Sequence, residues 1–362
     1  MTGVDQDRVL GSILAGAVGD ALGGPVEFLS VEQIRQRFGM AGATDFADEY
    51  GGRGRITDDT QMTLFTVEGL IRASVARRRG SGDLRSVVQH AYQRWLHTQG
   101  TTWERARGKF DRAAEADGWL VRCAELHARR APGNTVLGAL TAFAAGAPSP
   151  SPTRPANHSK GCGAVMRSAP VALWANSTAE VFSAAAELGA LTHGHPSGYL
   201  SAGALAVIVH QILRGADLLA AVDVARAELS GWSDQDETDQ ALVAAVQVAR
   251  LGRPTPEAIE SRLGGGWVGE EALAIGVCAA LAAENLADGL LLAINHSGDS
   301  DSTGSICGNI LGARDGTAAI PNRWLAELEL REVAERLTLD LLTELGPNPP
   351  DTPEWYGRYP GW

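Results

Sequence analysis

The sequence predicts an all-α protein, and three observations carry that expectation. Alanine and leucine dominate a chain of 362 residues that is 44% hydrophobic but only 6% aromatic. Runs of β-branched and aromatic residues, the material of strands, are scarce. Apolar residues recur at three- and four-residue intervals along most of the length. A chain this long buries a large core, and residues 1–362 read as one domain without solenoid repeats or heptads.

Taken in order, Val9 to Leu22 has helical apolar spacing and stops at Gly23-Gly24-Pro25. Asp20 lies on the small-residue end of that helix. Glu27 follows on the exit loop, where an acid is ordinarily solvated. Gly51-Gly52-Arg53-Gly54-Arg55 is a flexible approach, too irregular for a phosphate-binding P-loop. Thr57 to Thr60 caps a helix from about Gln61 to Arg79, and Leu84 to Leu96 and Trp119 to Arg130 read as further helices. Residues 146–156 are Pro/Ser-rich and read as a mobile loop. Thr178 to Leu191, Pro196 to Leu213, Leu218 to Leu229, Gln240 to Leu251, Pro256 to Leu263 and Glu270 to Leu286 are predicted helices, as is Trp324 to Leu345. The tail, 347–362, is rich in proline and aromatics and is expected to pack on the surface or at a pocket rim.

A net charge of −12 and a pI near 5.2 disfavour a nucleic-acid binder. Cys123, Cys162, Cys278 and Cys307 form no CxxC pair, so neither a disulfide framework nor a cysteine zinc site is expected. Met1 to Arg8 is polar and unlike a signal peptide, and no apolar run has the length and purity of a membrane span, so the cytoplasm is the expected location and no membrane partner is expected.

Two acidic stretches stand out. Asn295-His296-Ser297-Gly298-Asp299-Ser300-Asp301-Ser302-Thr303-Gly304 alternates carboxylates with hydroxyls, between an apolar run and the helical pattern Ile306 to Ala313. Ile56-Thr57-Asp58-Asp59-Thr60 repeats the chemistry far upstream. One carboxylate caps a helix start, and Asp58 or Asp59 alone needs no other explanation. Two such stretches in apolar surroundings would repel and lose hydration. Oxygen ligation of one or two hard divalent cations removes the difficulty.

Two further segments carry polar groups into helical patterns. Gly161-Cys162-Gly163 suits either backbone approach to a phosphate or a plain tight turn. Cys162 has no base nearby in sequence and reads as a small buried thiol. His193 and His195, in Thr192-His193-Gly194-His195-Pro196-Ser197-Gly198-Tyr199, suit either metal ligation or polar contacts where a helix begins.

The segments Gly19–Phe28, Thr57–Met62, Lys160–Pro170, Thr192–Tyr199 and Gly298–Ala313, in this order, resemble the ADP-ribosylglycohydrolase family over nearly the whole chain. The resemblance implies an all-α orthogonal helical fold with two Mg²⁺ or Mn²⁺ ions in a cleft. By position the ligands would be Thr57, Asp58, Asp59, Asp299, Asp301 and Ser302, with Thr303 as the competing hydroxyl. Glu27 matches an acid beside the metals and, with Asp59, would be catalytic. Gly161, Cys162 and Gly163 match the segment that holds the diphosphate and distal ribose. His193 matches a histidine near ADP-ribose, and Tyr199 closes the same motif as a substrate-binding candidate. The implied reaction is hydrolysis of ADP-ribose from protein arginine side chains. The alternatives are an ADP-ribosylserine or small-metabolite hydrolase, a non-catalytic ADP-ribose binder, or, without the resemblance, a metal-dependent phosphohydrolase.

Overall fold

The computed structural model describes residues 4–362 except Phe110 and Arg112, and among these the regular structure is helical, with only isolated β-bridges. The first half holds α1 (Gln6–Gly23), α2 (Val31–Phe38), α3 (Asp58–Arg78), α4 (Leu84–Thr98), α5 (Trp103–Arg107) and α6 (Asn134–Ala144). The second holds α7 (Thr178–Gly189), α8 (Pro196–Leu213), α9 (Leu218–Leu229), α10 (Asp236–Arg250), α11 (Pro256–Leu263), α12 (Gly269–Ala282), α13 (Leu286–Ile294) and α14 (Ser300–Asp315). α15 (Asn322–Glu327), α16 (Arg331–Glu344) and α17 (Pro353–Arg358) complete the chain. A continuous hydrophobic cluster runs through α1, α3, α7, α8, α12 and α14.

The axis of this arrangement is the antiparallel pair α1–α14. Small residues four apart let the two backbones touch. A Cβ at Gly19 would stand 2.0 Å from the Gly304 carbonyl oxygen, and one at Gly312 would stand 2.0 Å from that of Gly11. Asn309 locks the register, its amide donating to the Ser12 carbonyl at 2.9 Å while the Ser12 hydroxyl donates back to its carbonyl. The pairing brings the C-terminal end of α1, with Asp20, against the N-terminal end of α14. α8 has the length and mean hydropathy of a membrane span, which the sequence reading denied to every run, yet 89% of it is buried inside the bundle.

Several predicted helices break where side chains are drawn into tertiary bonds. Trp119 to Arg130 is two short 3₁₀ turns, Leu120–Arg122 and Ala124–Leu126, joined by an extended Cys123. The Arg130 guanidinium bonds the Ile56 carbonyl at 2.7 Å and pairs with Glu329, while its own carbonyl accepts from the Asp58 amide. Glu329 in turn divides Trp324 to Leu345 into α15 and α16. It takes Arg55 as well as Arg130, and Leu330 turns left-handed at φ 55°. Asn285 caps α13 and ends the single helix expected from Glu270. The tail packs against α3 and α16: Tyr359 is fully buried and donates to Asp340 at 2.6 Å, and Arg72 donates to the Pro360 carbonyl. None of the tail lines the main cleft.

Candidate metal centre

Two helix N-termini meet at this cleft. Thr57 caps α3, its hydroxyl accepting from the Asp59 amide, so Asp58 and Asp59 occupy the first turn. Asp299 caps α14 by accepting from the Ser302 amide, which places Asp301 and Ser302 in that first turn. Asp20 fastens the start of α3 to α1, which packs along α14. Completely buried at the end of α1, it accepts from the amides of Thr57 at 3.0 Å and Thr60 at 3.1 Å and from the Thr60 hydroxyl. The motif Gly19–Phe28 contains this residue, but a carboxylate that caps another helix leaves no local signature, and sequence reasoning did not assign it.

The cleft encloses about 660 Å³. Glu27, Asp58, Asp59, Asp299, Asp301 and Ser302 line its floor, and Gly161, Cys162, Gly163, Met166 and His193 line one wall. Ligand oxygens of Glu27, Asp299 and Asp301 lie within 4.8 Å of one another. Asp58 and Asp59 face the same space from α3. Thr57, completely buried, does not line the cleft. Thr303 turns away, donating to backbone carbonyls with its oxygen against His296, so Ser302 is the hydroxyl that reaches the cleft. Tyr199 does not line it; its ring lies 6.4 Å from Trp232, inside the bundle. His195 caps α8 by accepting from the Ser197 amide, and thus makes the polar contact of a helix start.

The site is held by loops that bond one another. Asp299 N–H donates to the Gly265 carbonyl at 2.8 Å, and Cys162 N–H to that of Trp267 at 3.2 Å. Gly298 permits this approach: it has φ 139°, and a Cβ there would stand 1.9 Å from the Gly265 oxygen. Phe28 and Trp267, both exposed, stack at 5.7 Å across the mouth. Neither ring was singled out in the sequence, nor was the Ala131–Val136 wall at the start of α6.

The electrostatics are one-sided. Burial and mutual repulsion hold Asp58, Asp59 and Asp301 above the ordinary carboxylate range, and burial raises Asp299 against the hydrogen bonds that lower it. Burial and Asp301 lift Asp20 to about 7, and burial with Asp301, Asp299 and Asp58 pushes Glu27 up to about 11. No Lys or Arg pairs with these acids among the described ion pairs. Glu27 Oε2 and Asp59 Oδ2 are buried without a hydrogen-bond partner. Orphaned carboxylate oxygens beside a hydroxyl fit a hard divalent cation, which offsets the repulsion and ionises its ligands. His193 is held near 3 by burial and Arg167, so it faces the cleft as a neutral imidazole. Its Nδ1 is 2.8 Å from the Thr192 hydroxyl, which also accepts from Arg167.

These observations define a class: an all-α bundle with a carboxylate-floored cleft at converging helix N-termini. The sequence profile of the ADP-ribosylglycohydrolase family matches residues 1–350, and the chain belongs to that family. It is 29% identical to an uncharacterised protein of Archaeoglobus fulgidus, covering 93% of this chain and 96% of that one. It is 24% identical to the ADP-ribosyl-[dinitrogen reductase] glycohydrolase of Rhodospirillum rubrum, covering 95% and 99%. A solved structure titled ADP-ribosylglycohydrolase-related protein complex superposes with a TM-score of 0.67 at 26% identity, over 94% of this chain and 99% of that one.

Proposed function

We propose that the protein removes ADP-ribose from arginine side chains of modified proteins by hydrolysing the N-glycosidic bond, with two Mg²⁺ or Mn²⁺ ions in the cleft. The observation that carries the reading is the unpaired acid floor of five cleft-lining carboxylates in a chain of this family. The relative from Rhodospirillum rubrum, named for ADP-ribosylated dinitrogen reductase, supports a protein substrate.

Thr57, Asp58, Asp59, Asp299, Asp301 and Ser302 would hold the ions. Bound there, divalent cations supply Lewis acidity and lower the pKa of water. The rest falls to the chain's own groups. The free oxygen of Glu27, or that of Asp59, accepts the proton of the attacking water and faces the positive charge that develops on the ribose. Gly161 and Gly163 keep a wall of backbone without side chains against His193, room for the diphosphate and distal ribose. The neutral imidazole of His193 offers one polar atom there and adds no charge. A guanidinium leaving group is cationic and planar, suited to an acid floor and to the ring faces of Phe28 and Trp267 at the mouth.

The test is release of ADP-ribose from an arginine-modified protein beside a serine-modified one, each with Mg²⁺, Mn²⁺ or EDTA. Cation-dependent release from arginine alone is expected. Release from serine alone would overturn the substrate, and binding of ADP-ribose without release from either would overturn catalysis.

A further inference from the structure

The acid floor has a sulfur face. Cys162 Sγ lies 2.7 Å from Asp299 Oδ2 and 3.6 Å from Ser302 Oγ, and Met166 Sδ lies 3.9 Å from the same hydroxyl. Both sulfur residues line the cleft with Glu27 and Asp59, whose unpartnered oxygens are buried and face the same space. The thiol is placed by backbone. Gly161 bridges to Val268, Cys162 N–H donates to the Trp267 carbonyl and Gly269 N–H to that of Lys160 at 2.7 Å. The same Gly264–Val268 loop receives the Asp299 amide at Gly265. One segment therefore fixes the sulfur and the carboxylate against each other.

We propose that Cys162 is a sulfur ligand at the Asp299–Ser302 end of the cation site, so that thiophilic divalent ions such as Co²⁺ and Cd²⁺ bind this protein more tightly than Mg²⁺. Two donors to one ion must stand close together, and Cys162 Sγ and Asp299 Oδ2 do so on rigid backbone. Thiolate selects softer ions, whereas carboxylates and hydroxyls alone select Mg²⁺ or Mn²⁺. On coordination the thiol proton, which now faces Asp299, leaves to solvent. A nucleophilic role has no support, since burial and the Asp299 carboxylate hold the thiol well above its ordinary pKa. The inference rests on the reading that the cleft holds divalent ions.

The experiment is Co²⁺ titration of the purified, metal-stripped protein, followed by absorption. Ligand-field bands in the visible report that Co²⁺ is bound, and a near-ultraviolet sulfur-to-cobalt charge-transfer band reports its ligand. Wild type is expected to show both. Cys162→Ser is expected to keep the ligand-field bands, lose the charge-transfer band, and raise the Kd for Co²⁺ and Cd²⁺ by roughly 10- to 100-fold. Its Kd for Mg²⁺ should move by less than about threefold, because serine keeps an oxygen donor there. Ligand-field bands without charge transfer in the wild type would overturn the sulfur ligand and leave Cys162 only orienting Asp299. A charge-transfer band that persists in the folded variant would overturn it too. Absence of Co²⁺ uptake altogether would overturn the cation reading itself. Cadmium NMR of the wild type, where a sulfur ligand moves the resonance downfield, decides the point if the variant does not fold.

Discussion

Two buried charge clusters lie on α3, one at its N-terminal end and one at its middle. At the middle, Glu68 and Asp117 face Arg72 and Arg94. Glu68 takes Arg94 at 3.0 Å, and Arg72 and Arg94 each reach Asp117. Acids and bases balance, two of each, so the charges compensate one another within the cluster. At the N-terminal end, Asp58 and Asp59 meet Asp299, Asp301, Glu27 and Asp20 with no base among them. Glu68, Arg72 and Arg94 are as buried as the acids of the cleft, with Asp117 more open, and the main difference is the sign balance. A balanced cluster is structural, while an unbalanced one stores a demand for cations.

The largest effects should separate the two clusters. Asp58→Ala/Asp59→Ala is expected to reduce ADP-ribose release by more than about 100-fold, beyond the scale that outer partners of a metal carry. It should leave the metal-free protein as stable as before or more so in urea unfolding, because it removes repulsion. Glu68→Ala should do the reverse. It leaves two buried guanidinium groups to share Asp117 as their one carboxylate and costs about 3–5 kcal/mol, while cation affinity of the folded fraction stays. If both variants moved stability in the same direction, the comparison would fail.

The next effect concerns the axis that assembles the acid end. Gly304→Ala would push a methyl to 2.5 Å from the Gly19 carbonyl oxygen. Overpacking of this kind costs about 1–3 kcal/mol, and by spreading α1 from α14 it should weaken Mn²⁺ binding as well. The same substitution at Gly138, where nothing lies within 4 Å, is the control.

Stability against pH sharpens the contrast. Asp20 and Glu27 titrate near 7 and 11 in the cation-free fold, against about 4 in an unfolded chain. Raised values mean that the folded state holds protons the unfolded state has lost. That contribution is fully present below about pH 4 and declines as pH rises through 7 toward 11. Metal-free protein should therefore melt lower at pH 8 than at pH 5, and Mn²⁺ should remove most of the difference. A melting temperature in EDTA that rose between those pH values would contradict the reading. The smallest effect belongs to the rim: Trp267→Ala is expected to raise KM for a modified protein by about threefold to tenfold with kcat little changed, a loss of roughly one cation–π or stacking contact.

The helices and both acidic stretches were legible because periodicity and helix-start chemistry are local. The α3 and α14 first turns were readable from Thr57-Asp58-Asp59 and Asp299-Ser300-Asp301 alone. The breaks at Cys123 and Leu330 were not, because Arg130 and Glu329 find each other across 199 positions. Asp20 was hidden for the same reason, as its partners Thr57 and Thr60 belong to another helix. Trp267 follows three glycines in what reads as a turn, and only the stack on Phe28 brings it to the mouth. Tyr199 illustrates the converse: it shares a motif with His193, yet α8 carries it into the bundle.

The measurement that bears most directly on the account is a Mn²⁺ titration of the metal-stripped protein by calorimetry in buffers of different ionisation enthalpy. Two ions per chain are expected, with proton release as the carboxyls of the α3–α14 floor ionise, and with both lost in Asp58→Ala/Asp59→Ala. A protein that stays folded yet takes up no Mn²⁺, or takes it up equally well without Asp58 and Asp59, would contradict the claim that the unbalanced acid cluster is a cation site.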